Sequence, residues 1–281
     1  MRSKVHLVDG TFELFRCFHG APRAVDAEGA EVGALRGLVW TLVKLLRGAD
    51  HVAVVFDPMA PPRRDDRSDG ARLHAQARGA VEVVRALGLP CWVTPRGQAD
   101  DLLASAAQAL RGTADVVLCT TDRDLLQCVR GEEVVVWDRI RDRVTDEAGV
   151  RERFGIGPEQ IPDYHALVGD PSDGLPGVPG WGAKSAAAVL AVHPRLEDIP
   201  DESAAWAVRP RGAARLAEAL NRHRADALVV RDVATLRTDL PVRAGLAELC
   251  WRGPDVAFGA LVARLGVGEV AEVLARREAV D

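Results

Sequence analysis

The feature that most constrains this chain is the alternation, through its first half, of short apolar runs with helical patterns. Residues 5–8, 51–56, 90–94, 115–120 and 133–137 are runs of strand length. They lack strict polar alternation, as strands buried on both faces require. Between them, residues 31–47 set Val32, Leu35, Leu38, Val39, Leu42, Val43 and Leu46 at helical spacing, and residues 77–87 and 102–110 also read as helices. Strands alternating with helices predict a parallel α/β sheet covered on both faces. Three of the strands end on or near Asp9, Asp57 and Asp122. Ligands of such sheets gather beyond the carboxyl ends of the strands, so these aspartates are expected at one edge.

From about residue 160 the strand signals stop and Ala, Leu and Arg dominate. The expected division is an α/β domain over residues 1–160 and a helical region over residues 161–281. No long Ser/Gly linker separates the two, which predicts one rigid body. Residues 58–70 are polar and charge-rich and read as a mobile surface loop.

Composition bounds the class of protein. The chain has 281 residues, 48% of them hydrophobic and 27% charged, as in ordinary soluble globular proteins. No apolar run approaches the ~20 residues of a membrane span, and the N-terminus has no signal-peptide pattern, so a cytoplasmic protein without membrane contact is expected. Cys17, Cys91, Cys119, Cys128 and Cys250 are odd in number and form no CxxC pair, which predicts free thiols. The histidines are scattered without HxxxH spacing and give no zinc site. The net charge of −5 runs against a nucleic-acid binder, unless carboxylates are gathered around cations that invert the local sign.

The carboxylates are gathered in this way. Val8-Asp9-Gly10, Phe56-Asp57-Pro58, Ala99-Asp100-Asp101-Leu102, Thr121-Asp122-Arg123-Asp124-Leu125 and Gly169-Asp170-Pro171-Ser172-Asp173 place eight aspartates at strand ends or helix starts. One Asp after a strand is more often a turn or helix cap than a ligand, and Asp100-Asp101 or Asp122 and Asp124 could simply cap the helical turns after them. Eight in five such places point instead to a metal cluster. Phosphodiester hydrolysis by two Mg²⁺ ions about 4 Å apart needs several carboxylates of this kind.

A second motif, Gly177-Val178-Pro179-Gly180-Trp181-Gly182-Ala183-Lys184, has the GxxGxGxK form of a helix-hairpin-helix. Glycines there let backbone N–H groups meet a phosphate at a helix N-terminus, and Lys184 adds a point charge. Such contacts grip the DNA backbone without reading sequence. Trp181 stands at the tip and is expected to be exposed.

Together these motifs resemble the 5′ nuclease family of 5′–3′ exonucleases and flap endonucleases. The resemblance runs from Val5 to about Leu240 and is most specific in Thr121-Asp122-Arg123-Asp124-Leu125-Leu126-Gln127 and in the segment from Asp163 through Asp170 and Asp173 to Gly180. It implies a PIN-like α/β nuclease with a helix-hairpin-helix and two divalent ions, Mg²⁺ or Mn²⁺. Asp9, Asp57 and Asp100 would serve the first ion, and Asp101, Asp122, Asp124, Asp170 and Asp173 the second. Arg16 resembles a basic residue near the scissile phosphate. The hairpin would hold duplex DNA, with K⁺ as a further ion. The implied protein is a monomer acting on 5′ flaps and recessed or nicked 5′ ends in replication or repair.

Two departures qualify the resemblance. Gln98 stands where the family pattern has Glu, removing one charge from the first ion's surroundings. The span from Asp57 to Gln98, where the family builds an arch over the site, looks short. It offers Arg63, Arg64, Arg67, Arg72 and Arg78 but neither Lys nor Tyr, so Arg63 and Arg72 are the candidates for gripping a 5′ end. Three readings stay open: an active structure-specific nuclease, a branched-DNA binding protein with weakened catalysis, and a PIN-type ribonuclease.

Overall fold

A computed structural model describes residues 2–58, 68–94 and 98–278. The chain divides into two compact units, one made of residues 1–121 and 238–281 and the other of residues 122–237.

Unit 1 holds four parallel strands in the order β3-β2-β1-β4: β1 Ser3–Asp9, β2 His51–Phe56, β3 Cys91–Val93 and β4 Ala114–Cys119. Val5, Leu7 and Val8 of the central β1 are fully buried, on both of its faces. That is why the run lacks polar alternation. Helices cover the sheet: α1 Gly10–Gly20, α2 Gly33–Leu46, α3 Asp69–Ala86 and α4 Ala99–Ala109. The stripe Leu35, Leu38, Val39, Leu42, Val43 and Leu46 of α2 is buried, each side chain contributing roughly 1.5–3 kcal/mol of burial. α2 has no side-chain cap of its own, and Gln76 of α3 accepts from Ala34 N–H at 3.1 Å in its place. α1 was not expected from the sequence. α3 begins at Asp69 rather than 77, because Ser68 caps it by accepting from Ala71 N–H at 3.2 Å. Residues 59–67, most of the stretch read as a mobile loop, lie outside the described residues.

Unit 2 opens with a 3₁₀ turn, Asp124–Cys128, and an antiparallel pair of strands, β5 Val134–Asp138 and β6 Arg143–Thr145. Residues 143–145 are the strand missed in the sequence, being too short and too polar to show a strand period. α5 Glu147–Phe154 was not expected from the sequence, whereas the helical character after residue 160 was: α6 Ile161–Val168, α7 Ala183–Leu190 and α8 Ala213–Ala234. α6 packs against α7 and α8. It is buried from Ile161 through Leu167, which accounts for its apolar run. Gln127 ties the 3₁₀ turn to the end of α8, donating to Ala234 O at 3.0 Å and accepting from Leu236 N–H at 2.9 Å.

The last segment returns to unit 1 with α9 Leu246–Leu249, α10 Phe258–Leu265 and α11 Glu269–Glu278. Trp251 anchors it, its indole donating to Leu87 O at 2.7 Å. The five cysteines are free thiols, as their spacing predicts. No helix among the described residues is long and apolar enough to cross a membrane.

Candidate metal centre

The eight aspartates fall into two groups of four. In unit 1, Asp9 ends β1 and Asp57 follows β2, so the parallel register sets both at the carboxyl edge of the sheet. Asp9 caps α1, its Oδ1 accepting from Phe12 N–H at 2.9 Å and its Oδ2 from the Thr120 hydroxyl at 3.1 Å. Asp57 Oδ1 accepts from Ala99 N–H at 2.8 Å, the first residue of α4. That bond draws the N-terminus of α4, with Asp100 and Asp101 in its first turn, to the Asp57 carboxylate. The capping and the ligand readings of these residues thus coincide: hydrogen bonds orient carboxylates that remain at the strand ends. Gln98 is exposed at the N-cap of α4 and makes no side-chain capping bond.

In unit 2, Asp124 N–H donates to Asp122 Oδ1 at 2.8 Å in the turn between them. Asp170 sits in a tight loop closed by the pair Asp170 and Leu175, with N–H···O distances of 3.0 and 2.9 Å. Its Oδ1 accepts from Ser172 N–H at 2.9 Å and from the Ser172 hydroxyl. Asp173 is exposed in the same loop.

His165 of α6 joins this group and was missed in the sequence. Its ring is 2% exposed. Nε2 lies 3.5 Å from Asp124 Oδ1, and Nδ1 lies 3.4 Å from Asp170 Oδ2. Among the described residues neither nitrogen has a hydrogen-bond partner, nor does Asp124 Oδ1. Asp124, His165 and Asp170 each offer a ligand atom, all within 4.8 Å of one another. A spacing rule such as HxxxH cannot find this set. The available signal was one His inside the apolar run of α6, five residues before Asp170.

The electrostatics of unit 2 are those of crowded, desolvated carboxylates. Burial and then the charges of Asp122, Asp173 and Asp170 push the Asp124 carboxyl up to about 7. Burial also raises Asp122, against the hydrogen bond from Asp124 N–H and with Asp173 and Asp170 adding to the rise. Asp170 is also raised by burial, but its Ser172 hydrogen bonds outweigh that and leave it below the ordinary carboxylate range. Burial lowers His165, which keeps the ring neutral near pH 7. Orphaned buried ligand atoms beside mutually repelling carboxylates fit a divalent cation, which would satisfy the atoms and offset the charge.

The remaining candidates divide. Arg16 is committed to the buried Glu13, with Nε and Nη2 at 2.8 and 2.6 Å from Oε2, and Nη2 also reaches Thr41 at 2.8 Å. Arg72 is clamped by Glu31 at 2.9 and 2.6 Å and by Asp69 at 2.8 Å, so its guanidinium already has carboxylate partners. Arg63 lies outside the described residues. In the hairpin, Gly177 passes so close to α6 that an added Cβ would meet Val168 C at 2.3 Å, and Gly180 turns the chain at φ +85°. Gly182 precedes α7, and Lys184 is exposed in its first turn. Trp181 corrects the expectation of an exposed tip. It is buried against Trp206, and its indole donates to Leu216 O at 3.0 Å. A ring this large, with a buried carbonyl to receive its N–H, is more stable inside the unit than in water.

Residues 4–155 match the profile of the 5′-3′ exonuclease N-terminal resolvase-like domain, and residues 156–257 that of the 5′-3′ exonuclease C-terminal SAM fold. Among curated relatives, DNA polymerase I of Pseudomonas aeruginosa is 33% identical over 86% of this chain and 28% of its own length. DNA polymerase I of Mycobacterium leprae is 34% identical over 84% and 27%. The thermostable enzyme of Thermus aquaticus is 32% identical over 97% and 34%. The chain thus spans a quarter to a third of the length of the curated relatives it matches. Solved structures share the fold. The 5′-exonuclease of T5 with bound zinc superposes with a TM-score of 0.66 at 17% identity, covering 98% of each chain. The catalytic core of Rad2 in complex with DNA substrate gives 0.66 at 16%, over 98% and 92%. Human GEN1 in complex with Holliday junction DNA gives 0.63 at 16%, over 98% and 72%.

Proposed function

Because the chain belongs to the 5′-3′ exonuclease family, we propose that it is a structure-specific nuclease that cleaves DNA at 5′ flaps and at recessed or nicked 5′ ends. Its place is in replication or repair, and it works as a cytoplasmic monomer. The observation that carries this reading is the unit 2 cluster, where Asp122, Asp124 and Asp170 crowd around a buried His165 with orphaned ligand atoms. Two divalent ions, Mg²⁺ or Mn²⁺, would be held by these carboxylates, with Asp9, Asp57 and Asp100 serving one and Asp101, Asp122, Asp124, Asp170 and Asp173 the other. When bound, such ions supply an activated water and neutralise charge at the phosphate. The chain's own residues hold and orient: backbone N–H groups aim Asp9 and Asp57, and Ser172 fixes Asp170. Residues 1–160 carry the nuclease part, to which Asp170 and Asp173 are contributed from beyond that boundary. Residues 161–281 carry the DNA-binding part, in which Gly177, Gly180, Gly182 and Lys184 meet the duplex backbone, with K⁺ as the accompanying ion.

The test is cleavage of a labelled 5′-flap DNA in Mg²⁺ and in Mn²⁺, with Asp122→Ala/Asp124→Ala as the control. Cleavage near the junction that the double variant lacks is the expected result. Equal cleavage by the double variant, or binding without cleavage in either metal, overturns the proposal; the latter identifies a branched-DNA binder.

A further inference from the structure

We infer that His165 is a nitrogen ligand of the cation held in unit 2, through Nε2 and together with Asp124 Oδ1, and that Asp170 holds the ring from its other side. The inference rests on the reading of unit 2 as a cation site. It adds a donor of a different chemical class from the aspartates.

Both ring nitrogens face carboxylate oxygens, at 3.5 Å for Nε2 to Asp124 Oδ1 and 3.4 Å for Nδ1 to Asp170 Oδ2. A neutral imidazole carries one N–H and one lone pair. Whichever tautomer is present, one nitrogen therefore points a lone pair at a carboxyl oxygen, an arrangement that a proton on that carboxyl or a cation between the two atoms relieves. The two sides of the ring differ. Among the described residues Asp124 Oδ1 is itself buried and without a hydrogen-bond partner, so a ring nitrogen and a carboxyl oxygen are orphaned side by side. Asp170 is anchored through Oδ1 by Ser172, and its Oδ2 faces Nδ1 at 3.4 Å without a formed hydrogen bond. A small turn of the ring on cation binding would bring Nδ1–H onto Oδ2 and complete a carboxylate–histidine–metal arrangement, in which the outer carboxylate fixes the tautomer and raises the basicity of the liganding nitrogen. The spacing agrees. Two ligands with bonds of about 2.1 Å to one ion lie roughly 3.0–3.4 Å apart, against 3.5 Å between Nε2 and Asp124 Oδ1.

The consequence is metal choice. Mg²⁺ takes oxygen ligands almost exclusively, whereas Mn²⁺, Co²⁺ and Zn²⁺ accept imidazole readily. Unit 2 is therefore a site for a borderline divalent metal, with affinity for Mn²⁺ enhanced relative to Mg²⁺.

The test uses the full chain without a histidine tag, stripped of metal by chelation. Mn²⁺ and Mg²⁺ are titrated calorimetrically into the native protein and His165→Gln, and pulsed electron paramagnetic resonance is recorded on the Mn²⁺-loaded forms. The expected result is a ¹⁴N coupling to Mn²⁺ in the native protein that His165→Gln lacks, with the Mn²⁺ over Mg²⁺ affinity ratio falling about tenfold or more in the variant. Bound Mn²⁺ without ¹⁴N coupling in the native protein overturns the inference, and this measurement needs no variant to fold. An unchanged affinity ratio in a folded His165→Gln does the same. Flap cleavage in Mg²⁺ with no ¹⁴N coupling removes the histidine ligand and leaves the nuclease reading standing. A ¹⁴N coupling without cleavage in any metal does the reverse.

Discussion

The two carboxylate groups are built on opposite principles. In unit 1 the protein itself satisfies the acids: Phe12 N–H and the Thr120 hydroxyl hold Asp9, and Ala99 N–H holds Asp57. Those bonds fix direction at little electrostatic cost, because helix N-termini and strand ends supply ready-made donors. In unit 2 the acids repel one another, and Asp124 and His165 keep buried atoms that no donor among the described residues reaches. The first group is stable as it stands and becomes a ligand set by position. The second is destabilising until a cation enters. Any cation bound by either group stabilises the folded chain, but only in the second does it also remove a standing repulsion.

The largest effects expected are on cleavage. Asp57→Ala in unit 1 and Asp170→Ala in unit 2 should each lower turnover of a 5′ flap by about 10³-fold, the several kcal/mol that a lost metal contact represents. Single-turnover kinetics would check this. A strong loss in one unit with near-native activity in the other would break the assignment of both groups to one chemistry.

Stability without metal should separate the groups by sign. Asp124→Asn should stabilise the chelated protein at pH 7 by up to about 4 kcal/mol, because a carboxyl raised from its ordinary value to about 7 opposes folding when ionised. Asp9→Ala should destabilise it by about 1–2 kcal/mol through loss of the α1 cap. The pH dependence has a matching sign. Between pH 4 and 7 the folded Asp124 binds more protons than the unfolded one, so its share of stability rises as pH falls from about 8. His165, lowered by burial, works against that gain below its ordinary 6.5. Urea titrations of the metal-free protein at pH 8, 7 and 6.5, with and without Asp124→Asn, would isolate the first term. Equal pH slopes in the two proteins would remove the contrast.

A smaller effect belongs to the first ion. Gln98→Glu restores a charge at the exposed start of α4 and should tighten that ion about tenfold. Calorimetry with Mg²⁺ would detect it, and an unchanged affinity would show that Gln98 stands apart from the unit 1 group. The smallest effect is at the hairpin. Lys184→Ala should weaken duplex binding a few-fold and reduce the slope of log K on log salt by about 1, measured by anisotropy at several salt concentrations.

Much of this was legible in the sequence, and the reasons differ by residue. The strands of unit 1 show as unbroken apolar runs because a parallel sheet buries both faces. The aspartates show because turn and cap positions sit at fixed offsets from those runs. The hairpin glycines show because Gly177 leaves no room for a Cβ and Gly180 adopts a positive φ. β6 and α1 did not show. β6 is short and half-exposed, and α1 starts directly from the last residue of β1 with no linker to mark it. Trp181 and Arg72 were misjudged for a common reason: a large ring or a guanidinium is polar or apolar only by its partners, and Leu216 O, Glu31 and Asp69 are distant in sequence or unremarkable there.

By itself the sequence determined the fold class and, through its motifs, the family, and it set the aspartates at strand ends and helix starts, because periodicity and turn chemistry are local properties of the chain. Tertiary structure alone decided which acids the protein satisfies and which it leaves for a cation, and it alone brought His165 between Asp124 and Asp170. Hydrogen-bond satisfaction and desolvation depend on what is packed nearby in space, and no spacing along the chain encodes that.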